Sequence, residues 1–208
     1  MTDAQYDRLR TGLLLVDPYN DFLASEGKLW PFAKEMAVAV NLLSHLRAIV
    51  DTARQVGIQV FFVPHHRWEP GDYANWKHAN PTQIAAGQRQ TFAKDTWGGM
   101  FHVDFQPQEG DIINTGHWGQ SGFANTDLDH YLKEHGIEKI IIIGMLANTC
   151  IESIGRLGME LGYHVTLVKD ATAAFSREAM HAAYEINGAT FAHAILTTSE
   201  LVAALSKV

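Results

Sequence analysis

Cysteine occurs once in the 208 residues, at Cys150, so the chain cannot close a disulfide within itself. A fold of this length buries a full core without such staples, and a reducing cytoplasm is the expected setting. No apolar run approaches the ~20 residues that cross a bilayer, and the opening Met1–Asp7 is polar where a secretion signal would be apolar. Cations are the minority, 16 Lys and Arg against 23 Asp and Glu, for a net charge of −7. That balance speaks against nucleic acid and against anionic membranes as partners. No Gly-x-Gly-x-x-Gly follows the first apolar run and no Walker loop occurs, so no cofactor is expected. Gly119–Phe123 carries a serine between glycines but lacks the second glycine of a nucleophile elbow in its place.

What remains is an alternation of apolar runs with helical-period segments, with no repeat or linker. Leu13–Val16, Ile58–Val63, Asp111–Asn114, Ile140–Ile143, His164–Val168 and Phe191–Leu196 read as strands. Met36, Val40, Leu43, Leu46 and Val50 recur at helical spacing as far as Gly57. Further helices are predicted after Thr126, from Cys150 to Gly162, over Arg177–Asn187 and from Ser199. This pattern predicts one α/β domain over residues 1–208, a mostly parallel sheet covered on both faces. The His65–Gly110 stretch is too long for a plain connection and is expected to carry substrate contacts.

Ligands of open α/β sheets bind beyond the carboxyl ends of the strands. Asp17 ends the first strand, His65 and His66 follow the second, His117 the third and Cys150 the fourth. With Asn148 or Thr149 as N-cap, Cys150 would sit in a first helical turn, where unpaired N–H groups favour a thiolate. Its pKa is then expected well below the free value of about 8.5. Asp17 suits a base, or the group that holds one, and His117 a cation beside the thiol. His65, His66 and His78 invite a metal reading, but adjacent histidines on an extended segment face opposite ways and no carboxylate accompanies them. No metal is therefore expected. Tyr19, His66, Trp68, Tyr73, Trp76 and Trp118 are expected to line a pocket for a flat or partly apolar small molecule.

Four segments, in order and on the right elements, resemble the isochorismatase-like cysteine hydrolases. They are Asp17-Pro18-Tyr19-Asn20-Asp21-Phe22, Ser121-Gly122-Phe123-Ala124-Asn125-Thr126-Asp127-Leu128, Gly144-Met145-Leu146-Ala147-Asn148-Thr149-Cys150-Ile151 and Asp170-Ala171. The resemblance implies a three-layer αβα fold on a six-stranded parallel sheet, and an Asp–Lys–Cys triad cleaving a C–N bond through an acyl-thioester. It also implies a cis peptide before Ala147, oxyanion donors at the Ala147 and Cys150 amides with Leu146 beside them, and a homodimer or homotetramer. Two departures stand out. No lysine lies between Lys94 and Lys133, where the family carries its own, so His117 is assigned its place and Lys94 is the alternative. Nicotinamidases of the family carry Asp-x-His after the second strand, whereas this chain has His65-His66-Arg67, which disfavours a catalytic metal. The expected activity is hydrolysis of a small amide, ureide or related compound. Vinyl-ether hydrolysis, which needs no thiol, and a binding protein without catalysis are the rivals. Iodoacetamide separates the last from an enzyme, because a binding protein would show a sluggish thiol.

Overall fold

The computed structural model describes residues 6–207; most of the polar Met1–Asp7 opening lies outside the described residues, as does Val208. The apolar runs become β1 (Thr11–Val16), β2 (Gln59–Val63), β3 (Ile112–Ile113), β4 (Lys139–Met145), β5 (His164–Ala173) and β6 (Ala194–Leu196). They form one parallel sheet in the order β3-β2-β1-β4-β5-β6. Its central strands are buried on both faces, as continuous Leu, Val and Ile runs require.

Alternate side chains of β1 enter two different cores. Leu13 and Leu15 pack with Ala33, Met36, Leu46, Ile49 and Leu201, from α2 (Trp30–Ala39), α3 (Leu42–Val56) and α8 (Thr198–Leu205). Leu14 and Val16 pack with Leu128, Leu132 and Ile154, from α5 (Leu128–Glu134) and α6 (Glu152–Glu160). Each such fully buried leucine contributes about 2 kcal/mol. The remaining helices are α1 (Asn20–Leu23), α4 (Pro81–Arg89) and α7 (Arg177–His181). Among the described residues no helix is long and apolar enough to cross a membrane.

Three expectations change. The helix predicted through Met36 and Val50 is two helices, α2 and α3, because Asn41 between them adopts φ 53°, a left-handed conformation that asparagine tolerates. The His65–Gly110 excursion is not all loop. It holds α4, started by a capping box in which Asn80 accepts from the Gln83 amide at 2.9 Å and Gln83 accepts from the Asn80 amide at 3.0 Å. The helix predicted from Cys150 begins two residues later, as α6, and Cys150 itself lies in a wide π-type turn over Ala147–Ile151.

Gly144 makes that turn possible. Its φ is +115°, and a Cβ there would stand 2.1 Å from the Val16 carbonyl oxygen. The β4–β5 register shifts between Ile142 and Gly144, at the edge where β4 delivers the chain toward Cys150.

Candidate active site

Asp17 leaves β1 with φ 52°, a left-handed bend that turns the chain at the sheet edge. Its amide still donates to the Val63 carbonyl at 3.2 Å. The chain after β3 runs on alongside the end of β2: the His117 amide donates to the Pro64 carbonyl at 3.0 Å and the His66 amide to the His117 carbonyl at 2.8 Å. This pairing brings the wholly buried His117 ring onto the wholly buried Asp17 carboxylate, Nε2 to Oδ1 at 3.1 Å. Cys150 closes the group, with one Asp17 oxygen, one His117 nitrogen and the sulfur all within 4.8 Å of one another.

Hydrogen-bond direction fixes the protonation of the pair. His117 Nδ1 lies 2.9 Å from the Gly119 carbonyl, which can only accept, so Nδ1 carries a proton. The contact from Nε2 to a carboxylate needs a second proton. Burial works against the charged ring, yet the charge of Asp17 and the hydrogen bonds to Asp17 and Gly119 outweigh it and raise the His117 pKa. His117 is therefore an imidazolium with no lone pair to offer an ion or a substrate. Asp17 Oδ2, equally buried, has no hydrogen-bond partner among the described residues. It is the free acceptor beside the thiol.

The thiol does not behave as its sequence position suggests. Burial pushes the Cys150 pKa well up, the charge of Asp17 adds to the effect, and the Thr149 hydroxyl and the Leu146 amide offset it only in part. Neither Asn148 nor Thr149 caps the turn with its side chain. The resting group is a thiol, against the expected low-pKa thiolate, because desolvation and an adjacent carboxylate exceed what a helix start supplies; slow alkylation therefore no longer separates a binding protein from an enzyme.

Lys94 is elsewhere. Its ammonium pairs with Glu69 at 3.0 Å on a half-exposed surface, and its amide donates to the Trp68 carbonyl. The cis peptide joins Met145 to Leu146, one bond earlier than the resemblance implies. Leu146 faces the cavity, while Ala147 is buried in the turn behind it.

Above Cys150 opens a cavity of about 430 Å³, a size suited to a small molecule. Asp17, His65, Gln120 and Cys150 are among its polar lining, and Phe22, Leu29, Phe92, Leu146, Phe175 and Ala179 form much of its apolar wall, with Arg89 of α4 among the residues around it. Asn20 and Asp21 brace this wall, Asn20 donating to the Trp97 carbonyl at 2.8 Å and Asp21 accepting from the Phe92 amide at 2.7 Å. His65 Nδ1 sits 2.8 Å from the His66 carbonyl and donates to it. Burial, with the nearby His117 cation, lowers the His65 pKa to about 4, so its ring is neutral at physiological pH.

The aromatic residues expected in the pocket do not line this cavity. Tyr19 is buried, stacked on Phe92 at 4.5 Å, with its hydroxyl donating to the His65 carbonyl at 2.7 Å. His66 points away toward Asp72 at 2.8 Å and stacks on Trp118 at 3.6 Å. Trp118 in turn meets Tyr73 and Trp76, at centroid distances of 5.9 and 5.8 Å. Trp68 is likewise absent from the cavity wall. These rings form a patch outside the wall, and the Gln83 amide ties it to α4 through the Trp118 carbonyl at 3.0 Å. Arg89, Phe92, Gln120 and Phe175 were not foreseen. Only the capping box at Asn80 signalled the helix that carries Arg89.

The Isochorismatase domain family matches residues 11–200. Ureidoacrylate amidohydrolase RutB of Agrobacterium fabrum is 29% identical over 174 residues, covering 78% of this chain and 75% of that protein. The crystal structure of a cysteine hydrolase from Pseudomonas syringae pv. phaseolicola superposes with a TM-score of 0.80 at 23% identity, covering 98% of this chain and 95% of the other. An isochorismatase-like hydrolase from Alkaliphilus metalliredigens gives 0.73 at 26% identity, covering 94% and 97%. The fold, the order of the strands and the family match together place the chain: it belongs to the isochorismatase family.

Proposed function

We propose that the protein is a cysteine hydrolase that cleaves a C–N bond of a small amide or ureide through an acyl-thioester on Cys150. The observation that carries this reading is the unpartnered Asp17 Oδ2 beside a protonated thiol in an open cavity of small-molecule size. The similarity to a ureidoacrylate amidohydrolase supports a ureide as the first compound class to try.

Each step follows from that geometry. As the sulfur attacks the substrate carbonyl, its proton passes to Asp17 Oδ2. The amides of Ala147 and Cys150 are the proposed donors to the oxyanion. Asp17 then gives the proton to the leaving nitrogen as the C–N bond breaks. A water next loses a proton to Asp17 and attacks the thioester carbonyl; the departing sulfur takes that proton back. His117 shuttles nothing, because both its nitrogens already donate. It is a fixed buried cation, the part the family gives to lysine, paired with Asp17 at 3.1 Å beside a sulfur that becomes negative.

The test is ammonia release from a panel of ureides and primary amides, with Cys150→Ala as control and an acyl adduct sought by intact mass. Activity that survives Cys150→Ala would overturn the reading. Exposed Trp97, Met100 and Val103, together on one surface groove, support a homo-oligomer; the single cysteine supports a cytoplasmic setting. Sedimentation at micromolar concentration checks the oligomer; a stable monomer would remove it.

A further inference from the structure

Among the described residues, Arg89 is the only lysine or arginine lining the Cys150 cavity. It is exposed and, among the described residues, makes no ion pair or side-chain hydrogen bond; the Phe32 ring lies 5.3 Å from the guanidinium. Phe32 in turn packs on Phe175 of the cavity wall at 5.8 Å. Two features hold the arginine stem at this mouth. It ends α4, where the exposed carbonyl end of the helix favours cations, and the next carbonyl, of Gln90, is taken by the Lys28 ammonium at 2.6 Å. The cavity offers nothing for Arg89 to pair with. Its single carboxylate, Asp17, is already matched by His117. Glu178, which follows the lining residue Ser176 by two positions, is turned to its own helix start and to Ser176. A small cavity lined by a nucleophile, by apolar side chains and by one exposed, unmatched guanidinium suits a molecule with an acid group.

We propose that Arg89 binds a carboxylate of the substrate, so that the enzyme acts on anionic amides or ureides, with the C–N bond at Cys150 and the acid group at the cavity mouth. This rests on the reading of the cavity as the substrate site. A planar guanidinium matches a carboxylate through two parallel hydrogen bonds, and the flanking Phe32 ring keeps its plane available.

The first measurement needs no turnover. Glutarate, which has no C–N bond to cleave, should slow alkylation of Cys150 by neutral iodoacetamide in the wild type, whereas the uncharged 1,5-pentanediol should not. In Arg89→Gln the concentration of glutarate needed should rise about ten- to a hundredfold, with the rate in its absence unchanged. Arg89→Lys should recover part of the protection. Equal protection of wild type and Arg89→Gln, or none in either, overturns the proposal. The second measurement compares 3-ureidopropionate with 3-ureidopropan-1-ol as substrates. Arg89→Gln should raise KM for the acid about tenfold or more at little cost in kcat, and leave the alcohol untouched. A loss shared equally by both compounds also overturns it. Protection by glutarate without ammonia from any compound would leave the carboxylate site standing and remove the C–N hydrolase reading instead.

Discussion

The two ends of the cavity are built in opposite ways. At the inner end, Asp17, His117 and Cys150 each follow a strand of one buried sheet, and their positions are set by backbone pairing, such as His117 against Pro64 and His66. At the more exposed side, Arg89 and Phe175 come from α4 and the turn after β5. They are placed by capping and side-chain contacts. The first arrangement is rigid because displacing any member disturbs the sheet; the second can vary without disturbing it. Chemistry sits where the topology admits one answer, and selectivity where it admits many.

Removing the nucleophile tests the inner end most severely. Cys150→Ser should cost about 10⁴-fold or more in kcat/KM while the melting temperature changes little, because the side chain keeps its shape. A smaller loss would mean that the thiol is not the attacking group.

The next largest effect separates charge from chemistry. His117→Ala should abolish turnover and also destabilise the fold by about 3–5 kcal/mol, since it strands a buried carboxylate. The residue's sequence setting, a loop histidine among glycines, suggests instead a change that spares the fold; burial of the pair is what alters that expectation. The double variant Asp17→Asn, His117→Gln carries no buried charge and should regain most of the stability but none of the activity. Denaturant unfolding of the set, beside kcat, checks both parts.

Gly144→Ala should cost stability by several kcal/mol and reduce activity with it, because the methyl meets the Val16 carbonyl at 2.1 Å and the backbone sits at positive φ. A well-folded, fully active Gly144→Ala protein would show that the strand junction is not what sets the turn.

The same contrast explains what the chain discloses before folding. Strand identity, strand order and the meeting of Asp17, His117 and Cys150 at one edge follow from apolar runs and the rule for parallel sheets. The protonation of the thiol does not follow, since a helix start in the sequence says nothing of how much water it loses. Nor does the pocket wall. Trp68, Trp76 and Trp118 have the composition of a binding surface, but Trp118 is drawn onto His66 and Trp76 onto Trp118. Composition reports that an aromatic group packs, not which way it faces. Arg89 was invisible because a charged residue near the end of a helix is ordinary until the cavity beside it is known.

The smallest expected effects belong to pH and to the outer aromatic patch. The His117 pKa is raised in the folded protein, so its charge pair stabilises the fold fully below the unfolded value of about 6.5 and loses that contribution as pH rises through the higher folded value. Stability should therefore decline on the alkaline side, and Asp17→Asn, His117→Gln should flatten that slope. Alkylation of Cys150 should accelerate as the pH climbs past the ordinary thiol range, with no plateau near neutrality, because the thiol pKa is raised. An alkylation rate already flat at pH 7 would contradict a resting thiol. Trp76→Ala, by contrast, should change kcat/KM less than about threefold. The ring is 44% exposed and lies outside the cavity wall, and surface changes of this kind usually cost within about 0.5 kcal/mol. A large rise in KM on that substitution would bring the aromatic patch into the substrate path and erase the distinction between the two ends.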